Sequence, residues 1–292
     1  MSMVSVIIPA RKEKYLFKTI KDLYEKRGGD IEVIVVMDGP LGYDYKIPTY
    51  PRLKVLHNKT PQGLRSCVND AAEIASGEYI MKIDAHCKIG RDWDKILKSD
   101  CEDNWVVIPR RFSLDAPKWR ILSTPYCDAM SYMYVFRNPK IPRITGRPDK
   151  ERKESNKGVD IVEDMCFQGS CWFMTKKHMD RIGKLDESIY GSFSCESEEI
   201  GLKTHLGPWD GRVMWNKKTW YAHWGKPGSH FDEPEKYSRG ITRKELTDCY
   251  AATTDYWLHN RWEEQVHDFE WVIDKFWPLP RWPENWREVL NG

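Results

Sequence analysis

The sequence predicts an α/β fold built on a mostly parallel central sheet, and three observations carry that prediction. Compact β-type runs alternate with helix-periodic segments from Val4 to Ile83. The turns between them are short, which makes strand–helix–strand units. No apolar stretch approaches the roughly 20 residues that span a bilayer, so the apolar residues belong to a globular core. A chain of 292 residues, 40% hydrophobic and 31% charged, is long enough to bury one.

The elements follow in order. Val4-Ser5-Val6-Ile7-Ile8 is the first strand and stops at Pro9. Leu16, Ile20, Leu23 and Tyr24 recur at helical spacing, and Gly28-Gly29 ends that helix. Ile31 to Met37 is a second strand, broken by Asp38-Gly39-Pro40, and Lys54 to His57 is a shorter third. Gly63 to Ala75 reads as a helix, Ser76-Gly77 stops it, and Tyr79 to Ile83 is the fourth strand. Further on, Trp105 to Pro109 and Cys166 to Met174 have strand character and His178 to Ile182 that of a short helix. Arg137 to Lys157 holds eight basic residues against three acidic ones and three prolines, and is expected to form a long exposed loop. The segment from Asp255 to Gly292 contains six of the fourteen tryptophans.

Composition excludes some classes of function. With 46 Lys plus Arg against 44 Asp plus Glu, the net charge of +2 is not that of a strongly basic chromatin-type binder. Eight cysteines stand singly with no C-x-x-C pair, so reduced thiols in a cytoplasmic compartment are expected. The run Val4 to Ile8 is too short for a secretory signal, and no membrane anchor is expected. No G-x-G-x-x-G or phosphate-loop signature is present, which weighs against a dehydrogenase or a kinase.

In a parallel sheet, ligands sit beyond the carboxyl ends of the strands. That directs attention to Pro9–Glu13, Asp38–Pro40 and Asp84–Cys87. Asp84-Ala85-His86 puts a carboxylate and an imidazole two apart just past a strand, a reasonable pair for Mn²⁺ or a related divalent ion. The same pair also serves as an ordinary structural hydrogen-bond set. His223, in Tyr221-Ala222-His223-Trp224-Gly225-Lys226, is a third candidate ligand. Cys195-Glu196-Ser197-Glu198-Glu199 concentrates carboxylates at a helix start. The helix dipole favours them there, and one or two turned inward could hold an acceptor hydroxyl. Arg11, in Pro9-Ala10-Arg11-Lys12-Glu13, could contact a phosphate.

Taken in order, these pieces resemble glycosyltransferases of the GT-A fold. Val4 to Arg11 resembles the opening strand of family 2 nucleotide-sugar transferases, and Val35-Val36-Met37-Asp38-Gly39 their second strand, with Met37 where one Asp is usual. Gly63-Leu64-Arg65 through Gly77-Glu78-Tyr79-Ile80 is similar to the segment leading to their metal motif. Asp84-Ala85-His86 resembles the Asp-x-His of polypeptide N-acetylgalactosaminyltransferases. Gln168-Gly169-Ser170-Cys171-Trp172-Phe173 is similar to their glycine segment under the donor sugar, Glu196-Ser197-Glu198-Glu199 to their Glu-Asn-x-Glu, and Ala222-His223-Trp224-Gly225-Lys226 to their Gly-His-Val-Phe-Arg. The resemblance covers about residues 4–226.

What the resemblance implies can be stated by residue. Asp84, His86 and His223 would hold Mn²⁺ (or Mg²⁺). Pro9, Arg11, Glu13, Asp38, Arg65, Asp84, Gly169, Ser170 and Lys226 would bind a UDP-sugar, with Glu196 and Glu199 as catalytic acids. Ser197 stands where inverting family 2 enzymes place a catalytic Asp, which favours a retaining course. A register shift of one would instead make Glu196 or Glu198 a base. Residues 1–226 would form the catalytic domain, 1–110 its nucleotide-binding half and 111–226 its acceptor half, with 227–292 a Trp-rich extension packed on it. The competing readings are a nucleotide-sugar-binding protein without turnover and a nucleotidyltransferase. For the acceptor, Arg110-Arg111, the basic run from Arg137 and the C-terminal tryptophans suggest nucleic acid. The chain resembles phage enzymes, working in the host cytoplasm, that glycosylate hydroxymethylated DNA bases. Protein Ser/Thr and envelope saccharides are the alternatives.

Overall fold

The computed structural model describes residues 2–41, 47–134, 144–225, 242–280 and 282–291. The alternating half comprises β1 (Val4–Ala10), α1 (Leu16–Lys26), β2 (Ile31–Asp38), β3 (Leu53–Asn58), α2 (Leu64–Ile74) and β4 (Tyr79–Ile83). β1 and β2 are apolar almost throughout because both faces of the sheet are covered. β1 pairs in parallel with β2 and β4, and β2 with β3. The face of α1 carrying Leu16, Ile20 and Leu23 is buried, as its spacing requires.

The second half adds β5 (Cys87–Ile89), α3 (Trp93–Ser99), β6 (Trp105–Asp115), β7 (Arg120–Cys127), β8 (Met130–Tyr134), β9 (Ile144–Pro148), α4 (Lys150–Ser155), β10 (Ile161–Glu163), β11 (Cys171–Thr175), α5 (Lys176–Ile182), α6 (Glu187–Tyr190), α7 (Glu196–Leu206), β12 (Arg212–His223), α8 (Arg243–Leu258), α9 (Phe269–Phe276) and α10 (Trp286–Asn291). The main sheet runs β10-β12-β6-β11-β4-β1-β2-β3, with β5 joined to β12 and β7 to β6. β11 is antiparallel to both of its neighbours, β4 and β6, so β6 and β12 point the same way as the first four strands. The carboxyl ends of β1, β2, β4 and β12 therefore share one edge with the entry to β11.

Two expectations change. The basic run is not a long loop: Ile144–Pro148 is β9, paired with β8, and Lys150–Ser155 is helical. Asp149 caps that helix by accepting from the Arg152 N–H at 3.0 Å. Arg152 then donates 2.6 Å to the Phe276 carbonyl and lies over the Phe276 ring, which ties the run to α9. Residues 137–143 lie outside the described residues. The stretch from Cys166 is also not strand throughout, for only Cys171–Thr175 enters the sheet.

The C-terminal tryptophans divide. Trp257, Trp262, Trp282 and Trp286 are buried in one apolar cluster with Val106, Ile108 and Trp172 of the sheet, while Trp277 keeps 37% of its surface exposed. Among the described residues, no helix is long and apolar enough to cross a membrane.

Candidate active site

Three elements deliver one cluster. Asp84 follows β4 directly, its N–H donating 3.0 Å to the Ser170 carbonyl. His86 precedes β5, and the pairing of His223 with Cys87 brings the end of β12 alongside it. One ligand atom from each of Asp84, His86 and His223 lies within 4.8 Å of the others. His223 Nε2 is 3.0 Å from His86 Nε2 and 3.2 Å from Asp84 Oδ2.

Partners behind the histidines fix how they face inward. Glu13 Oε2 lies 3.0 Å from His86 Nδ1, so Nδ1 donates and Nε2 turns its lone pair to the cluster. Arg111 donates 3.1 Å to His223 Nδ1, which leaves the His223 Nε2–H directed at Asp84 and His86. Burial pushes His223 down to about 4, so it is neutral at pH 7. For Asp84, burial acts upward, but Lys82 and His223 prevail and hold it well below the usual carboxylate range. Two imidazoles and a carboxylate converge there, and once the ion displaces the His223 Nε2 proton they form a donor set suited to the Mn²⁺ class.

A cavity of about 680 Å³ opens over the cluster. Pro9, Arg11, Glu13 and Asp38 line it from the β1–β2 side, with Gly169, Ser170, Glu196 and Glu198 on a second wall. Thr145, Gly146 and Arg147 of β9 and Tyr250 of α8 complete it. Gly169 is there for space, since a Cβ would meet Glu196 Oε2 at 3.0 Å. Ser170 Oγ is 2.8 Å from the Tyr221 hydroxyl. Glu196 accepts from Trp172 Nε1 at 2.5 Å and lies 3.3 Å from Lys82 Nζ. Burial raises its carboxyl above the ordinary range while Lys82 pulls the other way.

The remaining expected residues fall differently. Asp38 lines the cavity, yet its oxygens already accept from the Gln62 and Gly63 N–H groups at 2.7 and 3.0 Å. It holds the turn where Gly63, at φ +99°, passes against Ser192 and opens α2. Arg65 and Glu199 do not reach the cavity. Both are fully buried and form an ion pair with each other, Arg65 also donating 2.6 Å to the Ser194 carbonyl and Glu199 accepting 2.8 Å from Lys203. Lys226 lies outside the described residues. The Arg110-Arg111 pair is split, Arg110 bonding Asp128 at 3.0 Å while Arg111 enters the cavity and donates to Gln168.

Sequence reasoning missed Lys82, and it singled out Arg111 only as acceptor-side charge. Lys82 had a signal, a lone charge inside the apolar run Tyr79–Ile83. The contact of Arg111 with His223 had none, because it depends on the register between β6 and β12.

Residues 5–174 match the family model described as glycosyl transferase family 2. Among solved structures, 100% of this chain superposes on 55% of GalNAc-T7, crystallised with UDP, GalNAc and Mn²⁺, at 15% identity and a TM-score of 0.69. S. aureus TarS 1-349 in complex with UDP-GlcNAc aligns with 79% of this chain and 60% of its own, at 19% identity and a TM-score of 0.49. The chain thus spans little more than half of the GalNAc-T7 chain, and the likeness is one of fold. No curated protein sequence matches it.

Proposed function

The chain belongs to glycosyl transferase family 2, and from that premise we propose that it moves a sugar from a UDP-sugar to a hydroxyl group, using a Mn²⁺-class ion held by Asp84, His86 and His223. The observation that carries this reading is the convergence of those three side chains beneath a cavity at the carboxyl edge of the parallel strands. The UDP and Mn²⁺ in the GalNAc-T7 structure support it. Bound there, the ion would supply Lewis-acid compensation for charge on the departing diphosphate.

The chain's own residues divide the remaining work. Arg11 adds charge-assisted hydrogen bonds to the diphosphate. Glu13 keeps His86 in the right tautomer and orientation. Gly169 leaves room for the donor sugar, and Glu196, fixed by Trp172 and Lys82, underlies it. Asp38 positions the Gln62-Gly63 turn beside the base and ribose. Ser197 donates 2.9 Å to Glu198 and cannot itself act as a base, and Glu196 is held by a cation. On these grounds we propose a retaining course; Glu198, on the cavity wall, is the carboxylate that an inverting course would use. Arg65 and Glu199 support α2 and α7 and touch neither substrate.

We take the acceptor to be a hydroxyl without assigning its polymer. Of the features that suggested a DNA base, Arg152 is paired with Asp164 and Phe276, Arg110 with Asp128, and four C-terminal tryptophans are buried, whereas Arg111 and Arg147 line the cavity. The test has two parts. Calorimetry with UDP, GDP and CDP, with and without Mn²⁺, is expected to show tight Mn²⁺-dependent binding of UDP alone. Equal binding of GDP, or donor turnover unaffected by chelator, refutes the reading. Incubation with hydroxymethylated DNA, a Ser/Thr peptide and an oligosaccharide then identifies the acceptor, and the anomeric proton coupling of the product reports retention or inversion.

A further inference from the structure

We propose that Lys82 is the internal counter-ion of the metal site: its ammonium supplies the positive charge that the divalent ion otherwise brings, and it thereby sets how tightly the ion is held. The inference rests on the metal reading above and concerns a residue outside the ligand set.

Lys82 is the penultimate residue of β4, paired with Ile7 on one side and Trp172 on the other. Its side chain is 1% exposed, an unusual state for a lysine. Nζ donates 2.8 Å to Asp84 Oδ1 and 2.5 Å to the Gly169 carbonyl, and it lies 3.3 Å from Glu196 Oε2. Three donors thus meet three acceptors, and the ammonium has one position it can occupy.

The charges around it explain the arrangement. Asp84, Glu196 and Glu13 bring three carboxylates into one partly enclosed region. Buried carboxylates without a cation are strongly destabilising, so a protein that must fold before it meets its ion needs an internal positive charge. Lys82 provides it and divides Asp84 between two tasks: Oδ1 faces the ammonium, while Oδ2 faces His223 and the cluster. An ion on Oδ2 would share that carboxylate with the ammonium, and two like charges a few ångströms apart in a water-poor site oppose each other. Lys82 therefore stabilises the metal-free protein and weakens the hold on the ion, which favours its exchange.

The experiment uses the full chain, stripped of metal, as wild type, Lys82→Met and Lys82→Gln. Mn²⁺ affinity is read by calorimetry and by the electron paramagnetic resonance signal of free Mn²⁺, and the thermal midpoint is read with and without Mn²⁺. Lys82→Met is expected to lower the metal-free midpoint by on the order of 10 °C, with Mn²⁺ recovering most of the loss. It should bind Mn²⁺ at least about tenfold more tightly than wild type. Lys82→Gln keeps hydrogen-bond donors without the charge and should behave alike. A variant that folds only when Mn²⁺ is present also supports the proposal. Equal or weaker Mn²⁺ binding by both variants overturns it, as does failure of both to fold even with Mn²⁺. If neither wild type nor variants bind Mn²⁺, the metal reading itself fails, an outcome distinct from a wild type that binds and variants that bind no better.

Discussion

Helix α7 presents two buried carboxylates one turn apart, Glu196 and Glu199, and each meets a buried cation, Lys82 and Arg65. In charge and burial the two pairs look alike. Their surroundings do not. Arg65 and Glu199 are both 0% exposed and enclosed by Ser194, Lys203 and Asp186, with every group answered from within the fold. Lys82 and Glu196 share their network with Asp84, which keeps 23% of its side chain open to the cavity. A buried ion pair therefore does not mark a site. What marks it is a network that includes a group still facing open space.

The comparison can be broken at its closed end first. Arg65→Met should cost about 3–5 kcal/mol of unfolding free energy in urea, because it removes the buried cation of the pair and leaves Glu199 with Lys203 alone. The loss should be the same with and without Mn²⁺, and the folded protein should bind UDP as before. Weakened UDP binding at unchanged stability would show that Arg65 belongs with the cavity after all.

A second test stays on the core side of α7, where His178 Nε2 lies 3.1 Å from the Thr204 hydroxyl. Burial pushes His178 down to about 4 from its ordinary 6.5. Between those values the unfolded chain binds a proton that the folded chain refuses. This contribution to stability is therefore complete above pH 6.5 and is lost as pH falls toward 4, by roughly 3 kcal/mol. His178→Gln should remove that share of the acid sensitivity, seen as a flatter plot of unfolding free energy against pH. Parallel plots for the two proteins would disprove it.

At the open end, His223→Ala should weaken Mn²⁺-dependent UDP binding on the order of 100-fold, since it deletes a ligand outright. The thermal midpoint of the metal-free protein should change little. Glu13→Gln sits one shell further out and is expected to cost roughly tenfold in Mn²⁺ affinity. A larger effect at Glu13 than at His223 would mean that the carboxylate, not the second histidine, holds the ion.

Much of the segment from β1 to β4 could be read from the sequence, and the reason is physical. β1, β2 and β4 are buried on both faces, so they appear as near-continuous apolar runs, and the turns that end them point to Glu13, Asp38 and Asp84. The burial of Arg65 is readable in helical phase, since Arg65, Val68 and Ala72 follow the spacing of the buried face of α2, but its charge type points the other way. Within Arg137–Lys157 a high charge density hides the Asp149 cap and the short strand Ile144–Pro148. β11 was visible as an apolar run, but its direction was not, because an antiparallel insertion leaves no trace in local composition. The meeting of Glu13, His86, Arg111 and His223 depends on register between distant strands, which no local pattern encodes.

The reversed course of β11 also bears on engineering. Because that strand enters the sheet at the cavity edge, the chain leaves it at the opposite edge, where Thr175 pairs with Tyr79 and α5 begins. α5 ends at Gly183, which has φ +77° and nothing within 4 Å of where a Cβ would stand. A reporter domain spliced there would hang from the edge remote from the cavity, although it follows Ser170 by only 13 positions in sequence. The same fusion placed after β1, β2 or β4 would fall across the mouth of the cavity.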